Sequence, residues 1–164
     1  MEDLIRTLRN AEIVIKGDVN LRGGQASNFY IDVKKAYGDP KILNLLANNI
    51  SKILGEETCI AAMGHGGIAL ATAISIQKNL PLVIVRESPK GYGQRKNIDG
   101  YLPNSKDKVA IVDDVLTTGG SLGKIAYIIE QTSAKVTTAY VVVKRGEVNL
   151  QFPIKHLIDA QSLL

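Results

Sequence analysis

The sequence predicts an α/β domain with a central, mostly parallel sheet flanked by helices, and three observations carry that expectation. Short apolar runs near 58–63, 82–86, 109–112 and 135–143 alternate with stretches of helical period, the order that places parallel strands in one sheet with crossover helices on its faces. The run Val109, Ala110, Ile111, Val112 is unbroken rather than alternating, as a strand covered on both faces requires. Two of the strands lead straight into glycine-bearing turns that open helices, at 64–67 and at 117–121. With 164 residues, 45% of them hydrophobic, the chain is long enough for a full core and too short for two ordinary domains. One domain over 1–164 is therefore expected.

The elements follow in order. A helix is expected near residues 2–11, then extended pieces to about 34. A second helix starts at Asp39 and Pro40, which suit the cap and the first turn. Strand, helix and strand occupy about 58–63, 67–79 and 82–86. The run 109–112 is a strand closed at its carboxyl end by Asp113 and Asp114. The next helix carries Leu122, Ile125, Ala126 and Ile129 at helical spacing. A strand near 135–143 and a short one near 155–159 complete the chain. No internal repeat, low-complexity tract or linker interrupts the series.

Composition excludes several classes. No apolar run approaches the roughly 20 residues of a membrane span, and the amino terminus lacks a signal-peptide pattern, so a cytoplasmic protein with no membrane partner is expected. Cys59 is the one cysteine and sits in an apolar run, which reads as a buried thiol. His65 and His156 lie far apart, with no cysteine or carboxylate cluster at ligand spacing, so no dedicated zinc site is expected. Of the net charge of +4, +3 falls between residues 86 and 96. That segment, RESPKGYGQRK, contains Pro89, Gly91 and Gly93, which oppose regular structure, and Lys90, Arg95 and Lys96. A polar basic loop beside an anion site reads as a lid. A nucleic-acid patch is the competing reading, disfavoured because there is no basic stripe elsewhere, no Trp and little aromatic interleaving.

The most informative stretch is VAIVDDVLTTGGS, residues 109–121. A buried pair of adjacent carboxylates is costly, so Asp113 and Asp114 are expected to emerge into a polar crevice at the strand's end, where open parallel sheets bind ligands. Thr117, Thr118, Gly119, Gly120 and Ser121 then form a turn at a helix amino terminus. Free backbone N–H groups make such a terminus an anion site, and glycines admit the close approach of a phosphate. Carboxylates beside an anion suit sugar hydroxyls or a metal ion. Ribose 5-phosphate satisfies both halves of the run.

Two other nucleotide motifs were weighed against this one. Gly64, Gly66 and Ala69 spell G-x-G-x-x-A between a strand and a helix, with Glu87 near the end of the next strand, the elements of a dinucleotide fingerprint. That fingerprint usually opens its domain, whereas about 60 residues precede it here, and it leaves 109–121 unexplained. The sequence GGSLGK at 119–124 fails as a nucleoside-triphosphate loop, because Thr118 replaces the first glycine and Ile125 the required hydroxyl residue.

The run VAIVDDVLTTGGS resembles the phosphoribosyl-pyrophosphate (PRPP) motif of type I phosphoribosyltransferases. The resemblance implies that family's fold, with a small N-terminal hood over mainly 1–38 and a flexible basic lid loop over about 87–100. It implies that Asp113 and Asp114 face the ribose hydroxyls, that Val115 and Leu116 contact PRPP, that residues 117–121 hold its 5-phosphate, and that Gly64, Gly66 and Gly67 contact pyrophosphate. Residues 19–40, VNLRGGQASNFYIDVKKAYGDP, are similar to the hood of orotate phosphoribosyltransferases, which lies over the base. Arg86, Lys90 and Gly93 are similar to that family's basic loop, and Lys144 with Arg145 ends a strand where it carries an arginine at the base site. The implied PRPP contacts therefore include Arg86 and Lys90, and the implied orotate contacts Arg22, Phe29, Tyr30, Thr117 and Arg145. Lys90, Asp113 and Asp114 are the implied catalytic residues, with Lys90 reaching the neighbouring site of a homodimer. Mg2+ is the implied cofactor, held mainly by PRPP and water. Glu87 follows Arg86 where many members carry a second lysine, which reverses a charge near the expected pyrophosphate. The expected reaction is transfer of the phosphoribosyl group from PRPP to orotate; the alternatives are another base as acceptor or a catalytically weak PRPP-binding regulator.

Overall fold

The computed structural model describes residues 2–20, 26–88 and 97–164. In chain order its elements are α1 (Glu2–Asn10), β1 (Val14–Asn20), β2 (Ala26–Ile31), a 3-10 turn (Val33–Gly38), α2 (Pro40–Ile53), β3 (Cys59–Met63), α3 (Gly64–Lys78), β4 (Leu82–Val85), β5 (Ile98–Gly100), β6 (Lys108–Leu116), α4 (Gly120–Glu130), β7 (Lys135–Lys144), β8 (Ile154–Asp159) and a closing 3-10 turn (Ala160–Leu163). Strands β1 and β2 form an antiparallel pair apart from the main sheet, whose order is β5-β4-β3-β6-β7-β8. All neighbours in that sheet run parallel except β5 on β4.

The unbroken apolar run of β6 has the cause its pattern implies. Ala110 and Val112 pack into a core with Leu70, Ala71 and Ile74 of α3 and Leu46, Ala47 and Ile50 of α2. Val109 and Ile111 face the opposite core, with Leu122, Ile125 and Ile129 of α4. Successive side chains of a strand point to opposite faces, so a strand covered twice has no position left for a polar residue. The α2 start is also as read: Asp39 accepts a hydrogen bond from the Lys41 amide at 2.8 Å and Pro40 fills the first turn, which satisfies one orphan donor and wastes none. Among the described residues no helix is long and apolar enough to cross a membrane.

Strand β3 connects outward through α3 to β4, whereas β6 connects the other way through α4 to β7. The sheet's order therefore reverses between β3 and β6, and a crevice opens at their carboxyl ends, the place where such sheets bind ligands.

Four boundaries differ from the sequence reading. The acid pair does not end its strand: β6 continues through Asp113 and Asp114 to Leu116, because β7 runs on beside it, pairing Val115 with Val143 and Leu116 with Lys144. Helix α3 begins at Gly64 rather than 67, with Gly64 at φ +73° turning the chain out of β3. Residues 33–38 form a 3-10 turn instead of continuing extended. Strand β5 was not foreseen, since three residues are too few to show a period.

At the far end of the sheet, the buried carboxylate of Glu57 accepts hydrogen bonds from the Gly55 amide at 2.7 Å and the Tyr140 hydroxyl at 2.8 Å. Removing one donor from a buried carboxylate leaves its desolvation uncompensated. Tyr140→Phe is expected to lower stability by about 1–3 kcal/mol in urea unfolding; an unchanged midpoint would mean that water takes the place of the hydroxyl.

Candidate active site

The end of β6 and the first turn of α3 are pressed together. A Cβ on Gly67 would lie 2.8 Å from the Val112 carbonyl oxygen and 3.2 Å from Asp113 Oδ1, and one on Gly66 would overlap the Asp114 carboxylate. Only glycine permits that approach. The Tyr37 hydroxyl, from the 3-10 turn, donates to the Gly66 carbonyl at 3.0 Å and holds the turn from its other side. No side chain caps α3 or α4, so the first-turn amides of both helices lack a capping partner and suit an anion. Gly119, at φ +77°, is the residue that swings the chain from β6 into α4.

Asp113 is buried, and its Oδ1 accepts from the Asp114 amide at 2.9 Å. Burial and the Asp114 charge raise its pKa to about 8, against the lesser opposing effects of that amide and of Lys34. At neutral pH Asp113 thus carries a proton and can donate to a hydroxyl as well as accept from one. Lys34 Nζ stands 2.7 Å from Asp32 Oδ1 and 3.5 Å from Asp114 Oδ2. Burial alone would lower the Lys34 pKa, but the Asp32 partner and the Asp114 charge outweigh it and hold it above the ordinary lysine value. Tyr37 is pushed up by burial and then by the charges of Asp114, Asp113 and Asp32, which keeps its hydroxyl a donor.

The opposite end of the site is built by the β1–β2 pair. Arg145, just past β7, donates from a guanidinium nitrogen to Ser27 Oγ at 2.5 Å, and its guanidinium carbon lies 4.3 Å from the centre of the Phe29 ring. Ser27 Oγ in turn donates to the Phe29 carbonyl at 2.8 Å. The planar cation is stacked and fixed.

These parts enclose one cleft of about 480 Å3, within the roughly 300–1,000 Å3 that small-molecule sites occupy. Of the residues predicted from sequence, Tyr30, Gly64, Gly66, Asp113, Asp114, Val115, Thr117, Ser121 and Arg145 line it. Thr118, Gly119 and Gly120 complete the turn between Thr117 and Ser121, and Gly67 lies buried beneath the wall. Phe29 supports Arg145 instead of lining the cleft. Two further expectations are not met by placement: Leu116 points into the α4-side core, and Arg86 is turned to Asp99 at 2.6 Å. Arg22 and Lys90 lie outside the described residues. Sequence reasoning missed Lys34 and Lys124, and gave neither His65 nor Glu87 a role in this site; all four line the cleft. Lys34 sits two residues from Asp32, a proximity that could have marked it. Lys124 carries no sequence mark beyond its place one turn into α4.

The 117–121 turn, the acid pair and the 64–67 turn thus converge at one switch point. The family model for the phosphoribosyl transferase domain matches residues 34–154. The orotate phosphoribosyltransferase of Methanothermobacter thermautotrophicus is 39% identical over 145 residues, covering 88% of this chain and 80% of that protein. That of Methanocaldococcus jannaschii is 41% identical over 145 residues, covering 88% and 82%. The crystal structure of orotate phosphoribosyltransferase from Aeropyrum pernix superposes with a TM-score of 0.85 at 26% identity, over 98% of this chain and 96% of that one. The chain belongs to the phosphoribosyltransferase family, in its orotate phosphoribosyltransferase branch.

The raised pKa of Asp113 has a consequence for stability. Between its ordinary value of 3.8 and about 8 the folded protein holds a proton that the unfolded chain has lost, so this group's contribution falls as pH rises through that window and is level above it. In urea titrations across the window, Asp113→Asn is expected to gain on the wild type as pH rises. Parallel stability curves would show that the carboxyl is not perturbed.

Proposed function

We propose that the cleft binds PRPP and orotate and transfers the 5-phosphoribosyl group, giving orotidine 5-phosphate and pyrophosphate in pyrimidine nucleotide synthesis. The convergence of the 117–121 turn, the acid pair, the 64–67 turn and Arg145 on one cleft carries this reading. The amides and hydroxyls of Thr117–Ser121 hold the 5-phosphate, each charge-assisted hydrogen bond being worth about 1.5–3 kcal/mol. Asp113 and Asp114 orient the ribose hydroxyls, and the first-turn amides of α3 receive pyrophosphate. Arg145 and Tyr30 receive the base, the arginine supplying a cation for orotate's carboxylate.

Orotate is an anion and attacks C1 without a general base. The chain's task is to hold both reactants in line and stabilise the charge gathering on departing pyrophosphate. On the resemblance to the family, Mg2+ would be held mainly by PRPP and water and, when bound, would neutralise pyrophosphate charge. Lys90 is assigned to the same charge, from the neighbouring subunit of a homodimer, on the resemblance of the 86–96 segment to the family's basic loop. The same reading places the protein in the cytoplasm, with small molecules as its partners rather than membrane or nucleic acid.

The test is ultraviolet absorbance of orotate with purified protein, Mg2+ and PRPP, beside adenine, guanine, hypoxanthine and uracil. PRPP-dependent loss of the orotate band alone is expected. Turnover of another base would overturn the assignment of Arg145 and Tyr30, and PRPP binding without turnover would make the protein a sensor. Asp114→Asn is expected to raise KM for PRPP about tenfold or more, the loss of one charge-assisted contact; unchanged PRPP use would remove the acid pair from the ribose.

A further inference from the structure

Three cationic side chains other than histidine line the cleft among the described residues: Lys34, Lys124 and Arg145. Two are committed. Lys34 is paired with Asp32 and Asp114, and Arg145 is held by Ser27 and the Phe29 ring. Arg86, nearby, is taken by Asp99. Lys124 differs from both: in an exposed position its Nζ donates to the main-chain carbonyl of Glu87 at 2.5 Å, with no aromatic ring stacked on it among the described residues. Its charge has no carboxylate partner among the described residues.

Its location gives that charge a use. Lys124 is one turn into α4, and helical side chains lean toward the helix amino terminus, so it overhangs the 117–121 turn. The residue it grips bends the other way: Glu87 Oε1 is 3.1 Å from where a Cβ on Gly64 would stand. Lys124 therefore spans the gap between the two anion turns, beside a carboxylate that would repel an anion at 64–67. We propose that Lys124 is a binding residue for the pyrophosphate moiety of PRPP, exchanging the Glu87 carbonyl for a phosphoryl oxygen. The proposal rests on the phosphoribosyltransferase reading. The exchange is favourable because an anionic oxygen is a stronger acceptor than a carbonyl and the exposed carbonyl is left to water. The ammonium also offsets the Glu87 carboxylate as charge develops on the leaving group.

Calorimetric titration of wild type, Lys124→Gln and Lys124→Arg with Mg2+-pyrophosphate, PRPP and ribose 5-phosphate tests this. Glutamine removes the charge and keeps an N–H donor on a side chain one atom shorter. The expected result is a loss of about tenfold for pyrophosphate and PRPP in the glutamine variant, recovery in the arginine variant, and unchanged ribose 5-phosphate affinity. Equal pyrophosphate affinity in wild type and Lys124→Gln would overturn the proposal while leaving the family reading intact. A parallel loss of ribose 5-phosphate would also overturn it, by making Lys124 a structural tie. A wild type that binds neither PRPP nor pyrophosphate would end both.

Discussion

The cleft depends on the closeness of one helical turn to one strand. Gly67 lies so near the Val112 carbonyl that any side chain there would push the two apart, and Gly66 lies against the Asp114 carboxylate. From that approach follow the acid pair's enclosure, the aim of the uncapped α3 amides, and the use of Tyr37 as a brace. A turn that carried side chains would stand off the strand, and the two carboxylates would be solvated ordinary acids.

Enclosing acids is expensive, and the chain offsets the cost in more than one way. Asp113 retains its proton under the combined influence of burial and Asp114, and Lys34 supplies a cation to Asp114 and Asp32 together. This arrangement is stable without ligand yet not fully matched. Sugar hydroxyls can both give and accept, so they fit the protonated Asp113 beside Asp114. Phosphate cannot, and the uncapped amides on either side suit it better. The proposed division of the cleft into hydroxyl and anion zones follows from which groups are left charged.

Much of this was legible because it depends on local pattern. The double-faced burial of Val109–Val112, the Asp39 cap and the glycine turns each follow from a few adjacent residues, and the structure places most of the expected residues on one cleft. What escaped the reading is what depends on neighbours distant in sequence. Strand β6 extends past the acids because β7 lies beside it, and nothing within residues 113–116 announces that. Leu116 was grouped with the phosphate turn by adjacency, whereas its side chain packs into the α4-side core, on the face opposite to the one that strict alternation from Ala110 and Val112 would give it. Arg86 was assigned to PRPP by the resemblance of its segment to the family's basic loop, but antiparallel β5 brings Asp99 to it. Lys34 and Lys124 join the site only once the 3-10 turn and α4 are folded against β6.

The junction after β7 has a geometric consequence. The amides of Arg145 and Gly146 both donate to the Leu116 carbonyl, at 2.9 and 3.3 Å, and a Cβ on Gly146 would overlap the Thr117 carbonyl. Arg145 and the 117–121 turn are therefore joined by main chain, across a contact with no slack. Such a junction works as a ruler: backbone dimensions, instead of side-chain choice, set the span between these two ends of the cleft. On the proposed reading, a new side chain at residue 145 would change which base is received without altering the length of product the cleft is able to hold.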